Sequence, residues 1–253
     1  MSLKKTPVVV RAHAYGQPFW SQYRRMVKDI GRESVFLLWD VTNNPIPQKV
    51  VDEDDGYVIP ITEHACRAIN CLHTKGYDTC ESMMVIVAEA LNIRVPCWEH
   101  VWLIEYDVAC CGHWGDTLLL ANGSPEHKDI DLMGYHFEQW KPLRYWMWGR
   151  LVGNIASAAK TPKEWKIFIP VMRMSRRSIE GALKFNLGKC SGYVECYFST
   201  ILMHYGYTVG NLPDTMIGRH FDSPAIPHNE WLSLEQQYAG ENVVYHAIKI
   251  NQL

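Results

Sequence analysis

The stretch TPVVVRAHAYG at residues 6–16 decides the fold class, together with the two segments that follow it. Its β-branched run ends in polar residues and a glycine, as a central strand does when it delivers a loop to a site. PFWSQYRRMVKDIG at 18–31 has apolar residues at helical spacing and a glycine at its end. SVFLLWDVTNNPIP at 34–47 is a second apolar run, and it ends at Asp40. The order strand, helix, strand predicts a parallel sheet with helical crossovers.

The same alternation continues through the chain. Up to residue 104 we predict a strand in YVIPIT (57–62), helices in EHACRAINCLHTKG (63–76) and SMMVIVAEALNI (82–93), and a strand in WEHVWLI (98–104). Further along we predict a helix in LRYWMWGRLVGNIASAAK (143–160), a strand in KIFIPVMRMS (166–175) and a helix in GYVECYFSTILMHYG (192–206). The whole chain, 1–253, therefore reads as a single α/β domain with a Rossmann-like, mostly parallel central sheet flanked by helices.

Composition narrows the classes of partner and the cell compartment. The formal net charge is −2, from 25 basic and 27 acidic residues, which gives no electrostatic reason to bind nucleic acid or an anionic membrane. No apolar run reaches membrane-spanning length and the N-terminus lacks a signal-peptide core, so we expect a cytoplasmic protein. The eight cysteines show no disulfide-framework spacing, and we expect reduced thiols.

The strand WEHVWLI stops abruptly in EYD at residues 105–107. Burying two carboxylates there costs several kcal/mol unless they are paired, solvated or bound to a cation. Glu105 and Asp107 share one face of the strand and Tyr106 points to the other. Such oxygen ligands suit Mg²⁺ or Mn²⁺, which in turn can hold a diphosphate, although a pair of acids that only faces water is the alternative. Because parallel strands deliver their carboxyl ends to one crevice, we expect Arg11 and Asp40 to lie near Asp107.

The order of these segments resembles the nucleotide-sugar glycosyltransferases of the GT-A fold, with EYD as a variant of their DxD motif. The similarity is greatest to the small glycosyltransferases of large algal viruses, the chloroviruses. VVVRAHAYG corresponds to the first nucleotide-side strand, FLLWDVTN to the second, WLIEYDV to the metal strand, and NVVYHAIK to a segment near the end. In this comparison residues 1 to about 120 form the nucleotide-sugar-binding half, and residues from about 121 to 253 form the acceptor-binding and catalytic half.

The resemblance implies a metal-dependent transfer of a hexose or pentose from a nucleoside-diphosphate sugar, UDP-linked by this comparison, to a glycan hydroxyl. The transfer is expected to invert the anomeric carbon, and a viral capsid glycan is the acceptor that the comparison suggests. Asp107 would bind the Mn²⁺ or Mg²⁺ that bridges the two phosphates, Glu105 would reach the ribose or a metal-bound water, and His246 would complete the metal sphere. The donor-binding residues would be Arg11, His13, Asp40, Tyr106, Arg173 and Lys249.

Several of these assignments have structural alternatives. Arg11 is equally suited to a salt bridge, and His246 to an ordinary strand position. Arg173 belongs to RMSRR, a basic cluster that suits either phosphates or a solvated helix start. Lys249 could neutralise the leaving diphosphate.

The acceptor side needs a general base and sugar contacts. Glu195 is the only acid in an apolar, aromatic helix, where a carboxylate is costly without a purpose, so we predict that it is the base. Its alternative role is a helix-start acid favoured by the helix dipole. Trp114 and Asp116 follow the metal strand and are predicted to contact the acceptor. A second DxD, Asp129 and Asp131, follows no comparably apolar strand and ranks below EYD as the metal site.

Three other readings compete with a glycosyltransferase. CCGH offers Cys110, Cys111 and His113 to zinc, although adjacent cysteines rarely serve one tetrahedral site. A metal-dependent nucleotidyltransferase or phosphohydrolase would also use strand-end acids, but it would normally need more of them for two ions. A non-enzymatic binding module is the third. The sequence leaves the sugar, the nucleotide, the acceptor and the oligomeric state open. It also leaves open whether the transfer inverts or retains the anomeric configuration, and which of Glu105 and Asp107 binds the metal.

Overall fold

The computed structural model describes residues 5–42, 44–71, 80–139, 152–153, 163–219, 221, 225–249 and 251–252. The strands in this part of the chain are β1 (Val8–Ala12), β2 (Gly16–Gln17), β3 (Val35–Asp40), β4 (Val58–Ile61), β5 (His100–Glu105), β6 (Ala109–Cys110), β7 (Leu132–Gln139), β8 (Val152–Gly153), β9 (Trp165–Ser175), β10 (Cys190–Ser191), β11 (Val209–Asn211), β12 (Val244–Tyr245) and β13 (Asn251–Gln252).

The helices lie between these strands. The described α-helices are α1 (Phe19–Ile30), α2 (Gln48–Asp54), α3 (Glu63–Ala68), α4 (Cys80–Arg94), α5 (Trp114–Gly123), α6 (Arg176–Ser178), α7 (Lys184–Asn186), α8 (Val194–His204) and α9 (His228–Gln237). A π-helical turn, Ile179–Leu183, joins α6 to α7. Short 3₁₀ turns occupy Arg32–Ser34, Asp55–Tyr57 and Asp214–Met216.

Among the described residues, seven strands form one central sheet in the order β11-β7-β9-β5-β1-β3-β4. All neighbouring pairs are parallel except those of β9, which runs antiparallel to both β5 and β7. The prediction of an α/β protein with a mostly parallel central sheet and flanking helices is therefore confirmed. Strands from both halves of the chain join this sheet; the functional division near residue 120 stays a prediction.

The central strands are continuous apolar runs because helices cover both faces of the sheet. Along β5 the side chains alternate between two cores: Val101 and Leu103 belong to a core shared with α4 and α8, and Trp102 and Ile104 to one shared with α1 and α5. Every residue of β3 is buried, including Asp40 at its end. The last residue of β3 is therefore a buried polar residue, and it lies at the end of the sheet where β1 and β5 also end.

A C-terminal strap, residues 225–249, returns to this edge of the sheet. β12 in the strap pairs antiparallel with β6, Ile226 bridges to Ile248, and the amide of Ile248 donates to the carbonyl of Asp107 at 2.8 Å. A small third core packs the strap onto the residues that follow β5. The strap is thus anchored directly to the EYD segment.

Two predicted helices differ from the structure or lie partly outside it. The helix expected at 143–160 falls on residues outside the described part, except for Val152–Gly153, which form β8 and pair with β10. The helix expected at 63–76 is described only as α3, which ends at Ala68. None of the described helices has the length and apolar content of a membrane-spanning helix.

Candidate active site

Glu105, Asp107 and His246 meet at the carboxyl end of β5. One potential ligand atom from each lies within 4.8 Å of those of the other two, and Nε2 of His246 is 3.7 Å from Oδ2 of Asp107. Glu105 and Asp107 come from the end of β5, whereas His246 follows β12 in the strap. The structure thus brings together the three residues predicted as metal ligands.

Asp107 is a largely buried carboxyl group whose charged form is disfavoured by its surroundings. Its side chain is 17% exposed, and its Oδ1 has no hydrogen-bond partner among the described residues. Burial, followed by the charge of Glu105, raises the pKa of Asp107 to about 7. A cation at this position would satisfy the buried oxygen and offset the repulsion between the two acids, so the donor set fits a divalent metal.

Glu105 has a different environment because Arg11 lies beside it. The two residues are register partners on the neighbouring parallel strands β5 and β1. Arg11 Nη1 donates to Glu105 Oε1 at 3.3 Å, and both side chains are largely buried. The salt-bridge alternative for Arg11 is therefore realised, and it holds the Glu105 carboxylate at the cluster.

His246 is oriented for coordination by a backbone carbonyl. Its Nδ1 lies 3.1 Å from the carbonyl oxygen of Phe221, which can only accept, so Nδ1 carries the proton and Nε2 presents a lone pair toward Asp107. The ring packs against Phe168 and Phe221, at centroid distances of 5.2 and 5.7 Å. Burial lowers the pKa of His246, which favours the neutral imidazole that metals bind.

A cleft of about 340 Å³ opens beside Asp107 and is lined by Ala14, Tyr106, Ala225, Ala247, Ile248 and Lys249. It is wide enough for part of a small ligand and has an exposed ammonium group at Lys249. The strap therefore supplies one wall of the cleft and the β1 and β5 ends supply the other.

Two further predicted donor residues lie around the same strand ends. His13 packs edge-on against Tyr106, with ring centroids 4.4 Å apart. Burial, followed by the charge of Arg11, lowers the pKa of His13, while Glu105 and Asp40 act in the opposite direction. Asp40 accepts hydrogen bonds from the amide and hydroxyl of Thr42 at 2.9 and 2.6 Å. The ends of β1, β3 and β5 thus meet as the sheet pattern predicted.

Glu195 lies in the first turn of α8, and only 5% of the residue is exposed. Burial, followed by the charge of Glu105, raises the pKa of Glu195 to about 8, and Lys166 opposes this shift. Its Oε2 has no hydrogen-bond partner within the described ranges. Glu195 is therefore a buried carboxyl group whose pKa is raised further by the negative charge of Glu105.

Arg173 is not brought to the cleft. It lies inside β9, is 2% exposed, and donates to Oδ1 of Asn122 at 2.9 Å and to backbone carbonyls between β7 and α5, including that of Ile130 at 3.3 Å. This placement corrects the expectation that Arg173 binds the donor, because its guanidinium is occupied in holding a loop.

Trp114 likewise belongs to the core. It is fully buried as the first residue of α5, and its Nε1 donates to Gln22 at 3.2 Å. The expectation that Trp114 stacks on an acceptor sugar is corrected by this burial. Asp116, in the same helix turn, is exposed and lies 3.5 Å from His113 Nδ1; a role toward an acceptor stays a prediction.

The remaining basic and acidic motifs lie at the opposite edge of the sheet. Ser175, the last residue of β9, is the register partner of His100, so Arg176 and Arg177 lie beyond the start of β5, about 17 Å along that strand from Glu105. Arg177 donates twice to Asp131, at 2.7 and 2.8 Å. Asp131 of the second DxD is thus a buried carboxylate that pairs with the exposed Arg177 at this edge.

The zinc reading finds no gathered ligand set in the described residues. Cys110 Sγ contacts the hydroxyl of Thr117 at 3.3 Å, whereas Cys111 Sγ points to the carbonyl of Leu234 at 3.9 Å. His113 Nδ1 instead accepts from the amide of Asp116 and caps α5. Burial raises the pKa of both thiols, that of Cys111 to about 12, which disfavours the thiolates that zinc needs.

Sequence reasoning missed the groups that support the cluster. The carbonyl of Phe221 orients His246, and a backbone atom leaves no signature in the sequence. Gln22, in α1, is 5% exposed and bonded to three other elements. A glutamine within the apolar stripe of an amphipathic helix was the available signal, because a buried amide needs partners.

Comparisons with known proteins give distant structural likenesses. No family model and no curated protein matches the chain. A crystal structure of a glycosyltransferase involved in glycosylation of the major capsid of PBCV-1 aligns with a TM-score of 0.44 and 8% identity, over 97% of this chain and 94% of that one. The glycosyltransferase GlyE of Streptococcus pneumoniae TIGR4 aligns with a TM-score of 0.41 and 11% identity, over 97% of this chain but 55% of that protein.

Proposed function

We propose that this protein is a metal-dependent glycosyltransferase that moves a sugar from a nucleoside-diphosphate donor to a glycan hydroxyl. The observation that carries the proposal is the cluster of Glu105, Asp107 and His246 beside a cleft at the carboxyl edge of the sheet. In open α/β sheets this edge is where ligands bind. The orphaned, buried oxygen of Asp107 supports a cation at the same place.

Of the two candidate ions we propose Mn²⁺. Mg²⁺ prefers oxygen ligands and near-ideal octahedral geometry, whereas transition-metal ions also accept imidazole. The neutral imidazole of His246 therefore favours Mn²⁺. When bound, such an ion stabilises the negative charge that develops on a leaving diphosphate.

On the donor side, the residues of the chain bind and orient the nucleotide sugar. Tyr106 and His13 would contact the base or ribose, with Asp40 offering a carboxylate for hydroxyl groups. Arg11 would hold Glu105 in place toward the ribose. Lys249, exposed in the wall of the cleft, would neutralise the diphosphate as it leaves. A UDP-linked hexose or pentose is the donor that we propose.

On the acceptor side, Glu195 would accept the proton of the attacking hydroxyl. That oxygen would attack the anomeric carbon from the face opposite the nucleoside diphosphate. The diphosphate would leave with the electrons of the broken bond, and the configuration of the anomeric carbon would be inverted. Burial favours the neutral form of Glu195, and a pKa of about 8 makes its carboxylate a stronger proton acceptor than an ordinary one. Asp116 is a proposed acceptor contact. A capsid-type glycan acceptor and a cytoplasmic location complete the proposal.

A thermal-shift panel of UDP-, GDP- and CMP-sugars, with and without Mn²⁺, tests the donor and the metal together. A ligand that binds only the native state raises the unfolding temperature, so one nucleotide class should stabilise the protein only when Mn²⁺ is present. The Asp107→Asn variant should lose this shift. Stabilisation that is equal in EDTA would refute the metal site, and pyrophosphate release from nucleoside triphosphates would favour a nucleotidyltransferase instead.

A further inference from the structure

Gln22 touches neither Asp107 nor His246, yet it contacts the segments that carry both. It lies in α1 and only 5% of the residue is exposed. Its amide oxygen accepts three hydrogen bonds and its amide nitrogen donates one. A side chain with both a donor and an acceptor is needed for this set, which an acid or a cation alone would not satisfy.

The first side of this network fixes the segment after Asp107. Oε1 of Gln22 accepts from the amide of Cys110 and from Nε1 of Trp114, both at 3.2 Å. Cys110 lies in β6, three residues beyond Asp107, and is the register partner of Val244 in β12. The bond to Gln22 therefore holds the strand on which β12 and His246 are aligned.

The second side fixes the strap through α9. Nε2 of Gln22 donates to Glu235 at 3.2 Å, and Arg25 donates to both Glu235 and Gln22 at 3.0 Å. From the same helix, Trp231 is buried against Tyr245, with ring centroids 5.8 Å apart. Tyr245 directly precedes His246. A shift of α9 would therefore move Tyr245 through its contact with Trp231, and with it the backbone that carries the His246 imidazole.

We infer that Gln22 is a positioning residue that sets the separation between Asp107 and His246 by holding β6 and α9 together. The inference rests on the proposed metal site. Metal ligands must be held within a fraction of an ångström, and loss of a supporting partner typically weakens metal affinity by about 10- to 100-fold. Removing the link between Gln22 and Glu235 should therefore weaken metal binding without touching a ligand.

The exchange of an amide for a carboxylate separates the two sides of the network. In Gln22→Glu, the new carboxylate still accepts from Cys110, Trp114 and Arg25, but it repels Glu235. In the double variant Gln22→Glu/Glu235→Gln, an amide again faces a carboxylate and the link can re-form with its polarity reversed. Glu230→Gln changes an exposed acid on the same helix and is the matched control.

Mn²⁺ titration, followed by electron paramagnetic resonance of the free ion, measures the affinity. We expect Gln22→Glu to weaken binding by about 10-fold or more, the double variant to restore most of it, and Glu230→Gln to match the wild type. If Gln22→Glu does not fold, Glu235→Leu removes the same link at a partly exposed position and should show the same loss. Hydrogen exchange of peptides from residues 228–246 should be faster in Gln22→Glu and Glu235→Leu, and should return toward the wild-type rate in the double variant.

The outcomes separate this inference from the proposed function. Wild-type protein that binds no Mn²⁺ would overturn the metal site and the inference with it. If Gln22→Glu and Glu235→Leu bind Mn²⁺ with the affinity of the wild type, the inference alone is overturned, even where hydrogen exchange of the strap peptides rises. Failure of the double variant to recover affinity, although it folds, would also overturn it.

Discussion

Arg11 and Glu105 face each other across parallel strands, with 3.3 Å between Nη1 and Oε1. This ion pair makes the two acids of the EYD motif unequal, because Oδ1 of Asp107 has no such partner among the described residues. Glu105 thus has a compensating cation at hydrogen-bonding distance, whereas burial and the charge of Glu105 raise the pKa of Asp107 to about 7. If the proposed metal binds here, we therefore expect Asp107 to contribute more to its affinity than Glu105.

Asp107→Asn and Glu105→Gln should differ in metal binding. We expect Asp107→Asn to lower the Mn²⁺ affinity by more than about 100-fold, which is the upper limit for loss of a residue that only supports a ligand. We expect Glu105→Gln to lower the affinity by about 10-fold. Calorimetric titration with Mn²⁺ measures both. Asp116→Asn, in the exposed turn of α5, is the control and should bind as the wild type does. Equal losses in the two EYD variants would contradict the ranking.

Glu195→Gln should separate donor binding from transfer. The amide keeps the shape of the carboxyl group but accepts no proton, so turnover should fall by about 10²- to 10⁴-fold while the metal-dependent thermal shift by the donor is kept. In the wild type, turnover should rise with pH as Glu195 ionises toward its pKa of about 8. Glu126→Gln, an exposed loop acid, serves as the control. Full turnover in Glu195→Gln would remove this residue from the mechanism.

The same carboxyl group should make the metal-free protein less stable as the pH rises. Its pKa is about 8 in the folded state against an ordinary value of 4.5, so the native state binds the extra proton between these values. The free energy of unfolding should fall across that window, by on the order of 4 kcal/mol from this group. Urea unfolding in EDTA at pH 5 and pH 8.5 should show a smaller fall for Glu195→Gln than for the wild type. An identical fall would mean that Glu195 titrates normally.

Arg173→Met should reduce stability and leave donor binding unchanged. Removing the guanidinium leaves Asn122 and several loop carbonyls without their buried donor, which should cost about 3 kcal/mol. Arg24→Met is the matched control, since Arg24 is 61% exposed and pairs with Glu53 on the surface. Urea unfolding gives the stabilities and the donor thermal shift gives the binding. A lost donor shift with unchanged stability would restore Arg173 to the donor site.

The sheet was predictable where local pattern and burial agree. VVV, FLLW and VWLI are apolar on both faces because helices cover both, and each ends in a polar residue at the same edge. The antiparallel insertion of β9 between β5 and β7 was not predictable, because pairing partners depend on long-range contacts. The pattern KIFIPVMRMS predicts a strand, but it does not indicate whether that strand runs parallel or antiparallel to its neighbours.

The errors at the site have definite physical reasons. Trp114 follows the metal strand in the sequence, which suggests an acceptor contact, but His113 caps a helix that begins at Trp114, and the Trp114 ring is buried in the core. Arg173 precedes two further arginines in the sequence, which suggests one basic cluster, but β9 extends to Ser175 and buries position 173. The sequence indicates His246 as a ligand only through the resemblance to a family. Its approach to Asp107 depends on the return of the strap, which no local pattern encodes.

The strap also has a consequence for the order in which the site is made. Glu105 and Asp107 emerge from the ribosome well before the residues of β12, so a nascent chain can build the sheet while its two acids still lack the imidazole. During that interval Asp107 has neither its histidine neighbour nor the backbone bond from Ile248. A chain that stops before residue 246 would contain all seven strands of the central sheet but not the cluster of Glu105, Asp107 and His246. The cluster of Glu105, Asp107 and His246 can therefore form only after residue 246 has been made and the strap has folded back onto the sheet.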